Sequence, residues 1–166
     1  EAAAMAATGI TDQLVAFARA APDAEARAVM ALSVLDWAAC GIAGAAEGSF
    51  DGFFAAAHVA GDCTRFGGGL GAPAAAALIN GTLSHALDYD DTHFAHIGHP
   101  SVAVVSAALA AGQAAGASLD DIIDAALIGA EASVAVGIWL GRGHYQVGYH
   151  QTATAGAFGA TVAAGR

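Results

Sequence analysis

The chain has 166 residues, enough for one compact domain, and 57% of them are hydrophobic, which excludes a largely disordered protein. Its net charge is −10, with five arginines and no lysine, so it lacks the basic surface that nucleic acids and anionic membranes require. The 48 alanines and 22 glycines, against three prolines, favour helices that pack closely through small side chains.

In chain order, the apolar periodicity predicts seven helical segments and no strand ladder. Ser118 and Asp121 are spaced as a capping box, and Thr11 is the expected N-cap of the first segment. We therefore predict an all-α fold, with residues 1–166 forming a single helical domain. The segments are TDQLVAFARAA, DAEARAVMALSVLDWAACGIAG, FDGFFAAAHVA, AAAALINGTLSHAL after Pro73, SVAVVSAALAAGQAAG after Pro100, DDIIDAALIGAEASVAVGIWL and TATAGAFGATVAAGR.

One of these segments, and the passage that follows the third, allow more specific expectations. The second, DAEARAVMALSVLDWAACGIAG, is apolar nearly all round, so we expect it to lie inside the domain. CTRFGGGLGAP, which follows the third, is rich in turn residues and has room for one brief strand. It lacks both the strand–helix context and the lysine of a phosphate loop, so no nucleotide cofactor is expected.

The cysteines and the N-terminal sequence bear on the cellular compartment. Cys40 and Cys63 are far apart and form no CxxC pair, which is typical of reduced thiols in a cytosolic protein. Residues 1–13 contain neither a basic segment nor a long apolar one, so no signal peptide is expected. Residues 100–119 are uncharged and long enough to span a bilayer, but their small side chains favour a buried helix. We expect a cytoplasmic protein that binds neither membranes nor nucleic acid.

The segment HALDYDDTHFAHIGHPS, residues 85–101, concentrates histidines and aspartates between two predicted helices. His99 directly precedes Pro100 at a helix N-terminus, where the helix dipole disfavours the imidazolium, so a neutral His99 could accept a proton. Asp88 falls at the end of the preceding helix. Thr92 could donate a hydrogen bond to a substrate carboxylate, or cap the loop.

A second polar segment, GRGHYQVGYHQT, gathers one cation, two imidazoles and two phenols. These groups suit the recognition of a small anion and proton transfer on it. The residues are Arg142, His144, Tyr145, Tyr149 and His150.

Metal binding is a competing interpretation of the first segment. His93, His96 and His99 form HxxHxxH with three aspartates just upstream, and imidazole with carboxylate is good ligand chemistry. The spacing is not that of HExxH, and Gly98 and Pro100 argue against one helix that presents all three histidines. The residues alone leave a metal site, an acid/base site and a polar loop all open.

Three segments together resemble the MmgE/PrpD family. NGTLSHALDYDDTHFAHIGHPSVAVVSAALAAG resembles its hallmark segment, and VLDWAACGIAG and GRGHYQVGYHQTATAGAFGATVAA resemble two flanking segments in the same order. The resemblance implies the N-terminal part of an all-α domain, with a lid domain outside this sequence. It also implies homodimers and proton transfer α to a carboxylate of a small di- or tricarboxylate, as in 2-methylcitrate dehydratase, without metal or cofactor.

The resemblance also assigns roles to individual residues. Asp88, Thr92 and His99 match the family's DxDDT and HPS motifs, and His150 matches the histidine of its RGFHPT segment. It implies that Asp88, His99 and His150 are catalytic and that Thr92 binds substrate, while Arg142, Tyr145 and Tyr149 are further candidates for binding a polycarboxylate. This sequence departs from the family's pattern at two points: Gln151 stands where the family has proline, and HYQVGYH is an insert.

The length and the absence of lysine suggest alternatives to a self-sufficient enzyme. In the family, the part that follows supplies the lid and the active-site lysines. The chain is therefore expected either to act as such an enzyme, or to be an incomplete fragment or subunit that needs a second chain. A structural helical oligomer is a third alternative.

Overall fold

The computed structural model describes residues 9–166, and helices dominate it. Residues 1–8, which carry much of the segment judged to lack a signal peptide, lie outside the described residues. The elements are α1 (Ile10–Ala18), α2 (Ala24–Ala46), α3 (Asp51–Ala57), β1 (Cys63–Thr64), β2 (Leu70–Gly71), α4 (Pro73–Ser84), α5 (Pro100–Ala115), α6 (Leu119–Gln146), α7 (Gln151–Thr154) and α8 (Gly156–Gly165).

The all-α prediction is confirmed. β1 and β2 form a two-residue antiparallel pair, with Cys63 opposite Gly71 and Thr64 opposite Leu70. This pair lies in the turn-rich passage between α3 and α4. Because it is so short, it closes a local turn and does not form a layer of the domain.

The starts of several helices follow from their sequence. Proline occupies the first turn of α4 and of α5, where its missing N–H costs no helical hydrogen bond. The capping box at α6 is confirmed, because Ser118 accepts from the backbone of Asp121 and the Asp121 carboxylate accepts in return. The N-cap prediction for Thr11 is wrong: α1 begins at Ile10 and its N-cap is Gly9.

The core forms where α5, α6 and α8 pack closely through small residues. A Cβ on Gly129 of α6 would lie 2.7 Å from the Cβ of Ala163, and one on Gly159 of α8 would lie 2.5 Å from the carbonyl of Gly129. The two helices can therefore approach this closely only because both positions are glycine. The larger buried side chains around this contact are Met30, Trp37, Val104, Val105, Ile122, Ile123 and Leu127.

The prediction that α2 lies inside the domain is wrong. One face packs on α4, α5 and α6 through buried residues that include Trp37. Within residues 9–166 nothing covers the opposite face, where four apolar side chains are 60–67% exposed. They are Val29, Leu32, Leu35 and Ile42.

Two helices, α2 and α6, are long and apolar enough to cross a membrane by length and composition. In their most apolar windows 28% and 50% of the residues are buried. Core helices of soluble proteins meet the same criteria, so this feature assigns no location. Helix α5 has 16 residues and lies against the core. Cys40 and Cys63 are buried free thiols.

Candidate active site

The loop between α4 and α5 is stabilised by a backbone hydrogen bond within it and by the carboxylate of one of its aspartates. The N–H of His93 donates to the carbonyl of Gly98 at 3.0 Å, which closes a tight turn. The Asp91 carboxylate accepts from the N–H of Ser101 at 3.2 Å and from its Oγ at 2.6 Å. Asp91 therefore caps α5, while His99, the N-cap residue, makes no side-chain cap. Burial raises the pKa of Asp91, although the hydrogen bonds from Ser101 lower it in part.

The second polar segment is shaped by a kink in α6. Gly141 has φ 71° and ψ 176°, so the helix changes direction there before it continues to Gln146. Gln151 is fully buried, and its Nε2 donates to the carbonyl of Gly137 at 3.2 Å and to that of Gly141 at 3.3 Å. The residue that replaces the family's proline thus ties α7 to the kinked part of α6.

Thr152 brings the two polar segments together. The backbone N–H of His99 donates to its Oγ1 at 2.9 Å. A Cβ on Gly98 would lie 2.8 Å from the Thr152 nitrogen, so the loop reaches α7 this closely because residue 98 is glycine. As a result, the His99 and His150 rings are nearly parallel, at 25°, with centroids 6.4 Å apart.

A cleft of about 330 Å³ opens at this junction. It brings together most of the predicted site residues, and Tyr145 packs edge-on against His150 at 5.6 Å between centroids. Tyr149 lies apart, stacked on His144 at 5.0 Å. The cleft is lined by Thr92, His93, Phe94, Ile97, Gly98, His99, Arg142, Tyr145 and His150.

A larger cavity lies elsewhere in the fold. It has a volume of about 840 Å³, lies between α1 and α8, and is lined by apolar and threonine side chains together with Arg19 and Arg166. Because the smaller cleft contains the imidazoles, the phenol and Arg142, it is the better candidate for proton-transfer chemistry.

Asp88 lies beside the cleft, in contact with His99. Its Oδ1 is 3.6 Å from Nε2 of His99 and 4.0 Å from Nε2 of His85. Asp88 has φ 56°, a left-handed conformation that is uncommon outside glycine and costs backbone energy. This strain places the carboxylate at the junction of the two imidazoles.

Two residues that the sequence analysis did not single out complete this cluster. The Asp90 carboxylate, 1% exposed, lies with Oδ1 2.8 Å from Nδ1 of His85. The backbone carbonyl of Asp90 is 3.1 Å from Nδ1 of His99. The hydrogen bond to Asp90 raises the pKa of His85, with desolvation acting in the opposite direction. Sequence offers little signal for this arrangement, because no periodicity shows which acid of an irregular loop turns inward.

The structure does not favour HxxHxxH as a ligand set. His93 lines the cleft, whereas His96 is fully buried and burial lowers its pKa. Within residues 9–166, the histidine and carboxylate atoms that lie within 4.8 Å of one another belong instead to His85, Asp88, Asp90 and His99. By donor type this set could hold a divalent transition metal. Its contacts form a hydrogen-bonded carboxylate–imidazole network.

Comparison with known proteins agrees with the resemblance seen in the motifs. Residues 8–166 match the MmgE/PrpD N-terminal domain. No curated protein matches the sequence. The chain therefore belongs to the MmgE/PrpD family, and the match lies in the family's N-terminal domain.

Proposed function

We propose that this chain supplies the helical-domain part of a lyase or isomerase site that moves a proton α to a carboxylate of a small di- or tricarboxylate, in the manner of 2-methylcitrate dehydratase. The observation that carries the proposal is the pairing of His99 and His150, 6.4 Å apart, in a cleft that also contains Arg142. Two imidazoles provide a base and an acid, and a guanidinium binds a carboxylate. These roles require no metal and no organic cofactor.

The spacing of the histidines constrains how the substrate lies. A group between two parallel rings needs about 7–8 Å, twice the contact distance of 3.5–4.0 Å. The observed 6.4 Å therefore favours a substrate that lies across the edges of both rings. In this pose Thr92 and Tyr145 donate hydrogen bonds to carboxylate oxygens, and Asp88 stabilises the imidazolium that His99 becomes.

The local charge supports an assembled active form. A polycarboxylate needs positive charge, yet the chain has a net charge of −10 and no lysine. Among residues 9–166, Arg142 is the one arginine that lines the cleft. The charge therefore favours a complex with a complementing chain that supplies lysines. We also propose a homodimer as the alternative assembly, and that the active form works in the cytoplasm on free carboxylates.

Solvent-isotope exchange tests proton transfer whatever the net reaction is. The protein is incubated in D2O with 2-methylcitrate, citrate or cis-aconitate, and deuterium incorporation α to a carboxylate is followed by NMR. We expect exchange with the wild type and a loss of about 10²- to 10⁴-fold in His99→Ala and His150→Ala. His58→Ala, which changes a histidine outside the cleft, is the matched control. Exchange that survives in His99→Ala contradicts the proposal.

The exposed face of α2 favours a second candidate, a structural helical oligomer or an incomplete subunit. Four apolar side chains on one helix face are typical of a surface that another chain covers. Light scattering after size exclusion distinguishes these cases. A monomer contradicts the oligomer, and exchange activity that arises only on addition of a lysine-bearing partner chain supports the subunit.

A further inference from the structure

Asp90, a residue of the loop, contacts the Nδ1 atoms of two imidazole rings. Its Oδ1 lies 2.8 Å from Nδ1 of His85 and 3.4 Å from Nδ1 of His99. Its backbone carbonyl, 3.1 Å from Nδ1 of His99, is the closer acceptor for that ring. Since a carbonyl can only accept, Nδ1 of His99 must carry a hydrogen to form this bond.

This constraint determines which nitrogen of His99 carries the lone pair. With hydrogen on Nδ1, a neutral His99 has its lone pair on Nε2, the atom 3.6 Å from Asp88. Nε2 of His85 faces the same carboxylate at 4.0 Å. The two rings also pack edge-to-face with centroids 4.7 Å apart, so neither rotates independently of the other.

The burial of the Asp90 carboxylate indicates a role other than holding the loop in place. Its neighbour Asp91 has a structural role, because it caps α5 through Ser101. The Asp90 side chain is 1% exposed, its Oδ1 faces the imidazoles, and its Oδ2 has no hydrogen-bond partner within residues 9–166. Burying a carboxylate is costly, and an amide or an apolar group would fill such a position with less desolvation.

We propose that Asp90 is the positioning residue of this site. Its carboxylate holds His85 and its backbone carbonyl holds His99, both in the Nδ1–H form, and the packed pair of rings directs Nε2 of His99 towards the reacting carbon. The catalytic part of this statement rests on the proposed function, in which His99 is the base. The part that concerns ring orientation and tautomer does not depend on activity.

Long-range ¹H–¹⁵N correlation of the histidine rings reads the tautomers directly. In the wild type we expect the neutral form of His99 to carry its proton on Nδ1. In Asp90→Asn, where an amide that can donate replaces the carboxylate, we expect the protonation pattern of His85 to change. His99 should keep its proton on Nδ1, because the backbone carbonyl of residue 90 remains, and His58 should be unchanged. Asp91→Asn, the matched control, keeps the wild-type pattern even where it lowers stability.

Two results overturn the proposal. One is a wild-type His99 whose neutral form is protonated on Nε2, a measurement that needs no variant to fold. The other is a His85 pattern in Asp90→Asn identical to that of the wild type.

Kinetics then separate positioning from binding. We expect Asp90→Asn to lower kcat of the α-proton exchange by roughly 10- to 100-fold, with KM changed less than about threefold. The reason is that His85, which packs on His99, loses its carboxylate partner and no longer holds the base in place, while the groups that bind the substrate remain. A change confined to KM contradicts the positioning role. If the wild type catalyses no exchange, either alone or with a complementing lysine-bearing chain, the proposed function fails, whereas the tautomer measurement still decides the role of Asp90.

Discussion

The backbone N–H of His99 donates to Oγ1 of Thr152 at 2.9 Å, across 53 positions of sequence. The contact joins the loop that precedes α5 to the first turn of α7, and His150 directly precedes that turn. The spacing of the two histidines therefore depends on a threonine that lies outside the lining of the cleft.

Thr152→Val tests this dependence with a side chain of nearly the same shape. We expect the free energy of unfolding to fall by about 1–2 kcal/mol, because the N–H of His99 loses its partner. We expect exchange activity to fall by at least tenfold, because the rings lose their fixed spacing. Urea denaturation and the isotope-exchange assay measure the two effects.

Thr161→Val is the matched control for this substitution. The Thr161 hydroxyl donates to the carbonyl of Ala157 on an exposed part of α8. The change should alter stability by less than about 0.5 kcal/mol and leave activity intact. Equal losses in the two variants would show that Thr152 has no special role.

Arg142 is the residue whose removal should separate substrate binding from proton transfer. A charge-assisted hydrogen bond is worth about 1.5–3 kcal/mol, so Arg142→Gln should raise KM for a tricarboxylate by roughly 10- to 100-fold. The effect on kcat should stay within about threefold, since the imidazoles are unchanged. Arg19→Gln, outside the cleft, is the control and should leave both constants unchanged. An unaltered KM in Arg142→Gln would remove this residue from the substrate site.

The contact between α6 and α8 predicts opposite effects for two glycines of one helix. A Cβ on Gly129 would lie within 2.7 Å of Ala163 and of the carbonyl of Gly159, so Gly129→Ala should cost about 1–3 kcal/mol. A Cβ on Gly143 meets nothing within 4 Å, and Gly143→Ala should stabilise the protein by about 0.5–1 kcal/mol. Urea denaturation measures both. A stabilised Gly129→Ala would show that the helices can separate without cost.

His85 should make stability depend on pH. Its pKa is raised above the ordinary value of 6.5, chiefly by the hydrogen bond to Asp90. Such a group contributes stability that is fully present below about pH 6.5 and is lost as the pH rises through the raised value. The difference in unfolding free energy between the wild type and His85→Gln should therefore shrink as the pH rises above about 6.5.

His96 provides the opposite contribution, which makes the comparison with a variant necessary. Burial lowers its pKa, so its contribution is present above the ordinary value of 6.5 and is lost as the pH falls through the lowered value. His85→Gln retains this contribution, and the difference from the wild type isolates His85. A difference that stays constant from pH 6 to pH 9 would contradict the role assigned to Asp90 in raising the pKa of His85.

Local signals accounted for most of the helices. Proline at the first turn of α4 and of α5, and the Ser118–Asp121 pair, fix helix starts through groups only a few residues apart. The burial of α2 was predicted wrongly, because hydrophobicity shows what a helix can bury and the exposed face depends on which elements lie against it.

The site was predictable in part, for a related reason. The motifs pointed to His99 and His150, but the residues that bring them together are Gly98 and Thr152. Neither of these is a residue type that would be chosen as a proton-transfer candidate. The inward orientation of Asp90 depends on its contacts with His85 and His99 in an irregular loop. The periodicity of the sequence does not predict such contacts.

The left-handed backbone at Asp88 means that two separate requirements apply to one position. Asparagine meets the conformational requirement and lacks the charge, whereas glutamate keeps the charge and is less suited to φ 56°. Comparing Asp88→Asn with Asp88→Glu would therefore divide the work of this residue into shape and charge. The substitutions that keep the protein functional at this position would show whether the left-handed conformation or the negative charge can be lost.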